Sequence, residues 1–89
     1  MASFEIRWKR SAAKELKKLP QPIVGRILLS VEALAEDPIP PKAVKLSGAV
    51  HTYRLRIGDY RLIYDVLSRV LTIEVIRVGH RKDVYRKLP

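Results

Sequence analysis

The chain has no cysteine, which excludes disulfide staples, thiol nucleophiles and thiolate metal sites together. It has no long apolar run either. The longest clear one, Ile27 to Leu29, falls far short of the ~18 residues that a membrane span needs. Charge enters at Glu5 and Arg7, so the N-terminus lacks the apolar stretch of a secretory signal. The two histidines and the carboxylates show no metal-ligand spacing, and the glycines build no phosphate-binding loop. Acidic residues are scarce: nine Asp and Glu stand against eighteen Lys and Arg, leaving a net charge of +9. The expectation is a soluble, cytoplasmic protein with no membrane attachment, no metal and no cofactor.

What is present suits one small domain spanning residues 1–89. A chain of 89 residues buries only roughly 60–65% of its unfolded surface, and 47% hydrophobic content makes such a core feasible. A small domain this basic usually meets a polyanion, and nucleic acid is the commonest one. An anionic membrane surface and an acidic protein partner stay open as alternatives at this point.

Phe4 to Trp8 alternates apolar and charged residues, the period of a half-buried strand. Ser11 stands where a helix N-cap belongs, ahead of Ala12, Ala13, Leu16 and Leu19 at helical spacing. Pro20 ends that helix. Pro22 suits the start of a second one, whose stripe of Ile23, Val24, Ile27, Leu28, Val31, Leu34 and Ala35 continues to about Glu36. The short link predicts an antiparallel helix pair. Residues 42–49 read as a connection. Period-two segments then follow on either side of Gly58-Asp59, and Leu71 to Val78 is apolar on both faces, as a central strand would be. Val84 and Leu88, four apart, suggest a short helical tail. The order is β-α-α-β-β-β, an α+β domain with an antiparallel meander.

The hairpin register carries the functional argument. With Gly58-Asp59 as a two-residue loop, Ile57 faces Tyr60, Arg56 faces Arg61 and Leu55 faces Leu62. Tyr53, Leu55, Ile57, Tyr60, Leu62 and Tyr64 then share the core face, while Arg54, Arg56 and Arg61 share the other. Like charges directly opposite, about 5 Å apart at Cβ, repel each other. On that ground alone, removing Arg56 or Arg61 should leave stability equal or raised. An anion between them makes sense of the pair, and the planar guanidinium suits phosphate. The last strand returns toward the same turn and brings Arg81 with it; Tyr85 shares that side if the tail is helical. Arginines on the outer face of a sheet are also common, and Asp65 could pair with Arg54 as an ordinary surface ion pair. The two histidines do not make an acid–base pair: His51 and His80 fall at opposite ends of the sheet, about 20 Å apart. His80 alone is expected near the arginines.

Three segments resemble the RelE/ParE superfamily of toxin–antitoxin toxins: Val44 to Gly48, Tyr53 to Tyr64, and Val78 to Tyr85. The resemblance extends to the strand–helix–helix start and so covers essentially the whole chain. Its RelE branch implies a ribosome-dependent mRNA endonuclease that cuts in the A site by 2′-hydroxyl attack on the adjacent phosphate, without metal or cofactor. The resemblance implies a RelB-like antitoxin, the ribosome and mRNA as partners. It implicates Arg54, Arg56, Arg61, Arg81 and Tyr85 as catalytic. Arg61 would position the scissile phosphate, Arg56 would stabilise its charge, Arg81 would serve the leaving 5′-oxygen and Tyr85 would stack on a base. Lys14, Lys45, His80 and Lys82 are implied to contact RNA. RelE nucleases often carry lysine where this chain has Arg54 and Arg56. Arginine stays protonated, so Arg54 is a poor general base; the base is then His80 or water, or catalysis rests on electrostatic stabilisation. Two alternatives stand beside the nuclease: a ParE-type inhibitor of DNA gyrase, and a basic nucleic-acid-binding module without chemistry.

Overall fold

The computed structural model describes residues 3–84. In chain order the elements are β1 (Glu5–Trp8), α1 (Arg10–Lys17), α2 (Gln21–Leu34), β2 (Val44–Lys45), β3 (Thr52–Ile57), β4 (Tyr60–Leu67) and β5 (Thr72–His80). The strands make one sheet in the order β1-β5-β4-β3-β2. Strands β3, β4 and β5 form the expected antiparallel meander. The domain is α+β as predicted, and its sheet is mixed, because β1 joins β5 in parallel. Both neighbours of β5 are therefore strands, which gives it the interior place in the sheet that its apolar run predicts.

Two details differ from the sequence expectation. Residues 44–45, read as part of a connection, pair with Arg54 and Tyr53 as an edge strand. Two residues, both exposed, are too short a segment to show a period. Helix α1 begins one residue before Ser11, with Lys9 at the cap position and no side-chain capping bond. The sheet sets this start: the Lys9 amide donates to the Val75 carbonyl at 3.0 Å, so the chain leaves β1 and turns directly into the helix. Of the expected C-terminal tail, residues 81–84 form a turn; the remainder lies outside the described residues.

Both helices cover one face of the sheet. Ala12 of α1 and Ile23, Ile27, Val31 and Leu34 of α2 pack with Leu55, Ile57, Leu62, Tyr64, Val66, Ile73, Val75 and Val78. Full burial of side chains of this size is worth about 1.5–3 kcal/mol each, which makes this layer the main source of stability. Tyr53 stacks on Tyr64 with ring centroids 5.9 Å apart, and the Tyr64 hydroxyl donates to the Pro38 carbonyl at 2.8 Å. Among the described residues, no helix is long and apolar enough to cross a membrane.

Candidate active site

The β3–β4 hairpin has the register that its turn residues predict. Ile57 pairs with Tyr60, Arg56 with Arg61, Leu55 with Leu62 and Arg54 with Ile63. Gly58 opens the turn with φ +60°, a left-handed angle that costs glycine nothing. Leu55 and Leu62 point to the helices, so Arg54, Arg56, Arg61 and Ile63 occupy the opposite, outer face. This face has a small core of its own. Ile63 and Val84 are 0% and 2% exposed yet stand outside the helix-side cluster. A Cβ placed on Gly79, which is opposite Arg61, would lie 3.9 Å from Val84 Cβ. The chain after β5 therefore folds back over the outer face, with the Asp83 and Val84 amides donating to the His80 carbonyl at 2.8 and 3.0 Å.

Arg61 is the unusual member. It is only 8% exposed, and its Nη1 donates to the carbonyls of Gly58 and Tyr60, both at 3.0 Å. No carboxylate among the described residues pairs with it. Its Nε and Nη2 hydrogens have no acceptor among them either. A shielded cation without a counter-charge is costly, and an incoming anion relieves that cost. Arg56, exposed, stands directly opposite. Half-buried Arg54 follows two residues earlier on the same strand and face. A cleft of about 530 Å³ runs along this edge, lined by Lys42, Val44, Arg54, Arg56 and Gly58 and by no acidic residue.

Arg81 arrives at the turn as the meander geometry requires. Its amide donates to the Asp59 carbonyl at 2.8 Å, and its Nε lies 3.9 Å from Asp59 Oδ1. Both side chains are more than half exposed, so this ion pair is weak and leaves Arg81 able to engage another anion. Lys82 is exposed beside it. Tyr85 lies outside the described residues.

His80 reaches the same end of the sheet but on the other face. It pairs with Tyr60, makes an edge contact to that ring at 5.5 Å, and its Nδ1 accepts from the Lys82 amide at 3.2 Å. Lys45 pairs with Tyr53 and so faces the helix side, while Lys14 is exposed on α1. Neither lines the arginine cleft. Lys42, which does, was not legible in advance, because the proline-rich stretch around it has no period to place it on a face. Asp65 does not serve as a partner for Arg54 in this register: it accepts from Thr52 Oγ1 at 2.5 Å and lies 3.7 Å from His51 Nε2. His51 and His80 do sit at opposite ends of β4, next to its Asp65 and Tyr60 ends respectively. Among the described residues, no three His, Cys, Asp or Glu side chains cluster as metal ligands would.

The fold and the site together define a class: a small basic α+β domain whose sheet has one face covered by helices and one face rich in guanidinium groups. Residues 6–85 match the family model described as the ParE toxin of the type II toxin–antitoxin system parDE. The toxin RelG of Mycobacterium tuberculosis is 31% identical over 94% of this chain and 98% of its own. Among solved structures, the RelBE2 toxin–antitoxin complex of the same organism superimposes with a TM-score of 0.79 at 27% identity, over 89% of this chain and 99% of that one. The RelB–RelE complex of Methanococcus jannaschii gives 0.76 at 30% identity, over 93% and 99%. The chain belongs to the RelE/ParE superfamily and is a toxin of a type II toxin–antitoxin system.

Proposed function

We propose that this toxin is a ribosome-dependent endoribonuclease that cleaves mRNA in the A site and so arrests translation in the cytoplasm. The observation that carries this reading is Arg61: a shielded guanidinium with no carboxylate partner among the described residues, opposite Arg56 and one turn away from Arg81. In the proposed step a 2′-hydroxyl oxygen attacks the adjacent phosphorus. The P–O5′ bond breaks, leaving a 2′,3′-cyclic phosphate and a 5′-hydroxyl. Arg61 holds the scissile phosphate through its remaining N–H groups. Arg56 stabilises the charge that grows on the phosphoryl oxygens, and Arg81 offers a donor to the leaving 5′-oxygen. Stabilisation of this kind is worth about 10²–10³-fold per donor. Tyr85 is assigned the stacking role on the base.

The proton of the 2′-hydroxyl goes to water in this scheme, and the leaving 5′-oxygen takes its proton from water while Arg81 donates a hydrogen bond and stays charged. Arg54 stays protonated at ordinary pH, so its part is electrostatic. The placement of His80 against Tyr60, with Nδ1 already accepting a hydrogen bond, supports a role for it at the rim rather than as the base. Lys82 is assigned to an RNA contact beside Arg81, and Lys14 and Lys45, which lie away from the cleft, to contacts with ribosomal RNA. The partner is a RelB-like antitoxin, a reading supported by the toxin–antitoxin complexes among the structural relatives. An acidic, amphipathic chain suits the +9 charge and the exposed Leu28, Leu29 and Ile39.

Purified toxin added to programmed ribosomes should cut the message within the A-site codon. The family model is described by ParE, which keeps the gyrase reading alive. Inhibition of gyrase supercoiling with intact message would establish that reading, and salt-sensitive RNA binding with neither effect would establish the non-catalytic one.

A further inference from the structure

Val75 and Val78 both belong to the helix-side core, at 0% and 2% exposure, although they are three residues apart. A regular strand cannot place them so, because its side chains alternate with a period of two. The irregularity is local. Ile63 pairs with Arg77 and Tyr64 with Val75, leaving Ile76 as an extra residue on β5. Such a bulge re-aims everything beyond it. Without it, positions 77, 79 and 81 would follow Val75 toward the helices. With it, Val78 and His80 take that side, and Gly79 falls opposite Arg61 on the outer face. Two residues on, Arg81 meets the turn at Asp59.

One side chain on α1 holds the bulge. Glu15 Oε2 accepts from Arg77 Nη2 at 2.9 Å, and Glu15 Oε1 accepts from the Val78 amide at 3.1 Å. Strand β1 pairs with β5 only as far as Trp8 opposite Val75. Beyond that point the Val78 N–H has no strand beside it, and the carboxylate takes the place of the missing carbonyl. Arg77 and Glu15 are 17% and 28% exposed, so salt screens their attraction only in part. Arg77 Nε is buried and makes no hydrogen bond, which leaves Glu15 as the one described acceptor for this guanidinium. No charge in the cleft depends on Glu15 directly; its influence on the site passes through the phase of β5.

We infer that Glu15 is a positioning residue: by clamping the bulge at Ile76 it sets the phase of β5 that carries Arg81 to the arginine face. The kinetic part of its test rests on the proposed cleavage, whereas the backbone part does not. In the full-length toxin, Glu15→Ala should speed amide hydrogen exchange at Val78 and Arg81 by about tenfold or more, with Ile73 and Val75, which precede the bulge, unchanged. Glu15→Gln, which keeps an acceptor for Val78, should recover part of the protection; it carries the same comparison if Glu15→Ala does not fold. Displacement of a phosphate-binding group by an ångström slows catalysis about 10²-fold. Single-turnover cleavage by Glu15→Ala should fall by that factor, yet the substitution should add nothing further in an Arg81→Ala background. Parent-like protection at Arg81 would overturn the inference, and so would slowing that multiplies with Arg81→Ala. Should the parent toxin itself cut no message, the cleavage reading fails alone, and exchange at Arg81 still decides the positioning role.

Discussion

At position 61 one guanidinium ties the turn and, in the proposed function, also holds the phosphate, which separates it from its neighbour. Arg61→Ala removes two hydrogen bonds to the Gly58 and Tyr60 carbonyls and should cost about 1–3 kcal/mol of stability. Arg56 is exposed, so Arg56→Ala should stay within about 0.5 kcal/mol of the parent. Loss of like-charge repulsion is thus the expected effect at Arg56, whereas at Arg61 the two hydrogen bonds outweigh it. Chemical denaturation of the two variants checks the contrast. Its cause was not legible, because the acceptors for Arg61 are backbone carbonyls of its own turn, which no side-chain pattern records. Tyr64, by contrast, was legible as core from its alternation with Leu62 and Val66. Burial pushes its phenol well above the usual tyrosine value, with the nearby Tyr53 and Asp37 adding to the effect. The folded state therefore keeps a proton that the unfolded state releases near pH 10. The corresponding stability is intact below that pH and is lost as pH rises beyond it. A melting series in alkali should show this decline in the parent and a shallower one in Tyr64→Phe; equal slopes would assign the decline to other groups.

Turns and strands divide by how much of their geometry lies in local residue type. Gly58-Asp59 and the period-two runs beside it determine the hairpin register, and with it the face shared by Arg54, Arg56 and Arg61. The same pattern predicts that Leu55→Ala, made at a 7% exposed core position, should lose about 2–5 kcal/mol. The bulge in β5 was harder to see. Its trace is the spacing of Val75 and Val78, but Ile76 between them hides the change of phase, so the return of the last strand brings His80 to the arginine end of the sheet without showing that it lies on the helix side. Strand β2 was missed because its two residues gain their order from β3 rather than from their own sequence. At the β4–β5 connection, a short 3₁₀ turn at Ser68–Val70 is followed by Leu71 at φ 47°. A left-handed leucine costs roughly 1–2 kcal/mol, and this one is 44% exposed, with little packing to lose. Leu71→Gly should raise the unfolding free energy by up to about 1 kcal/mol, the chain-entropy cost of glycine offsetting the rest. A melting temperature below that of the parent would show that the side chain packs more firmly than its exposure implies.

For the whole molecule, the +9 charge and the two dissimilar faces of the sheet set the terms of recognition. One face is spent on the helix core, which leaves the cationic outer face and the exposed basic residues of α1 to the polyanion of the proposed function. Binding to RNA should weaken steeply as salt rises, because each phosphate contact releases counterions. Lys17→Ala, at an exposed position on α1, should flatten that dependence while leaving single-turnover cleavage on saturated ribosomes nearly unchanged. An affinity indifferent to salt would point away from a polyanion. Expression of the toxin alone should arrest growth, and co-expression of its antitoxin should relieve the arrest. In the proposed function the outer-face arginines hold a phosphate whose charge grows in the transition state. Arg56→Ala tests it most directly, because its fold should be untouched. The decisive measurement is its single-turnover rate of message cleavage on programmed ribosomes, taken with its melting temperature. Its rate should fall about 10²–10³-fold below the parent at an unchanged melting temperature. A parent-like rate would contradict it and leave the arginine face as scaffold.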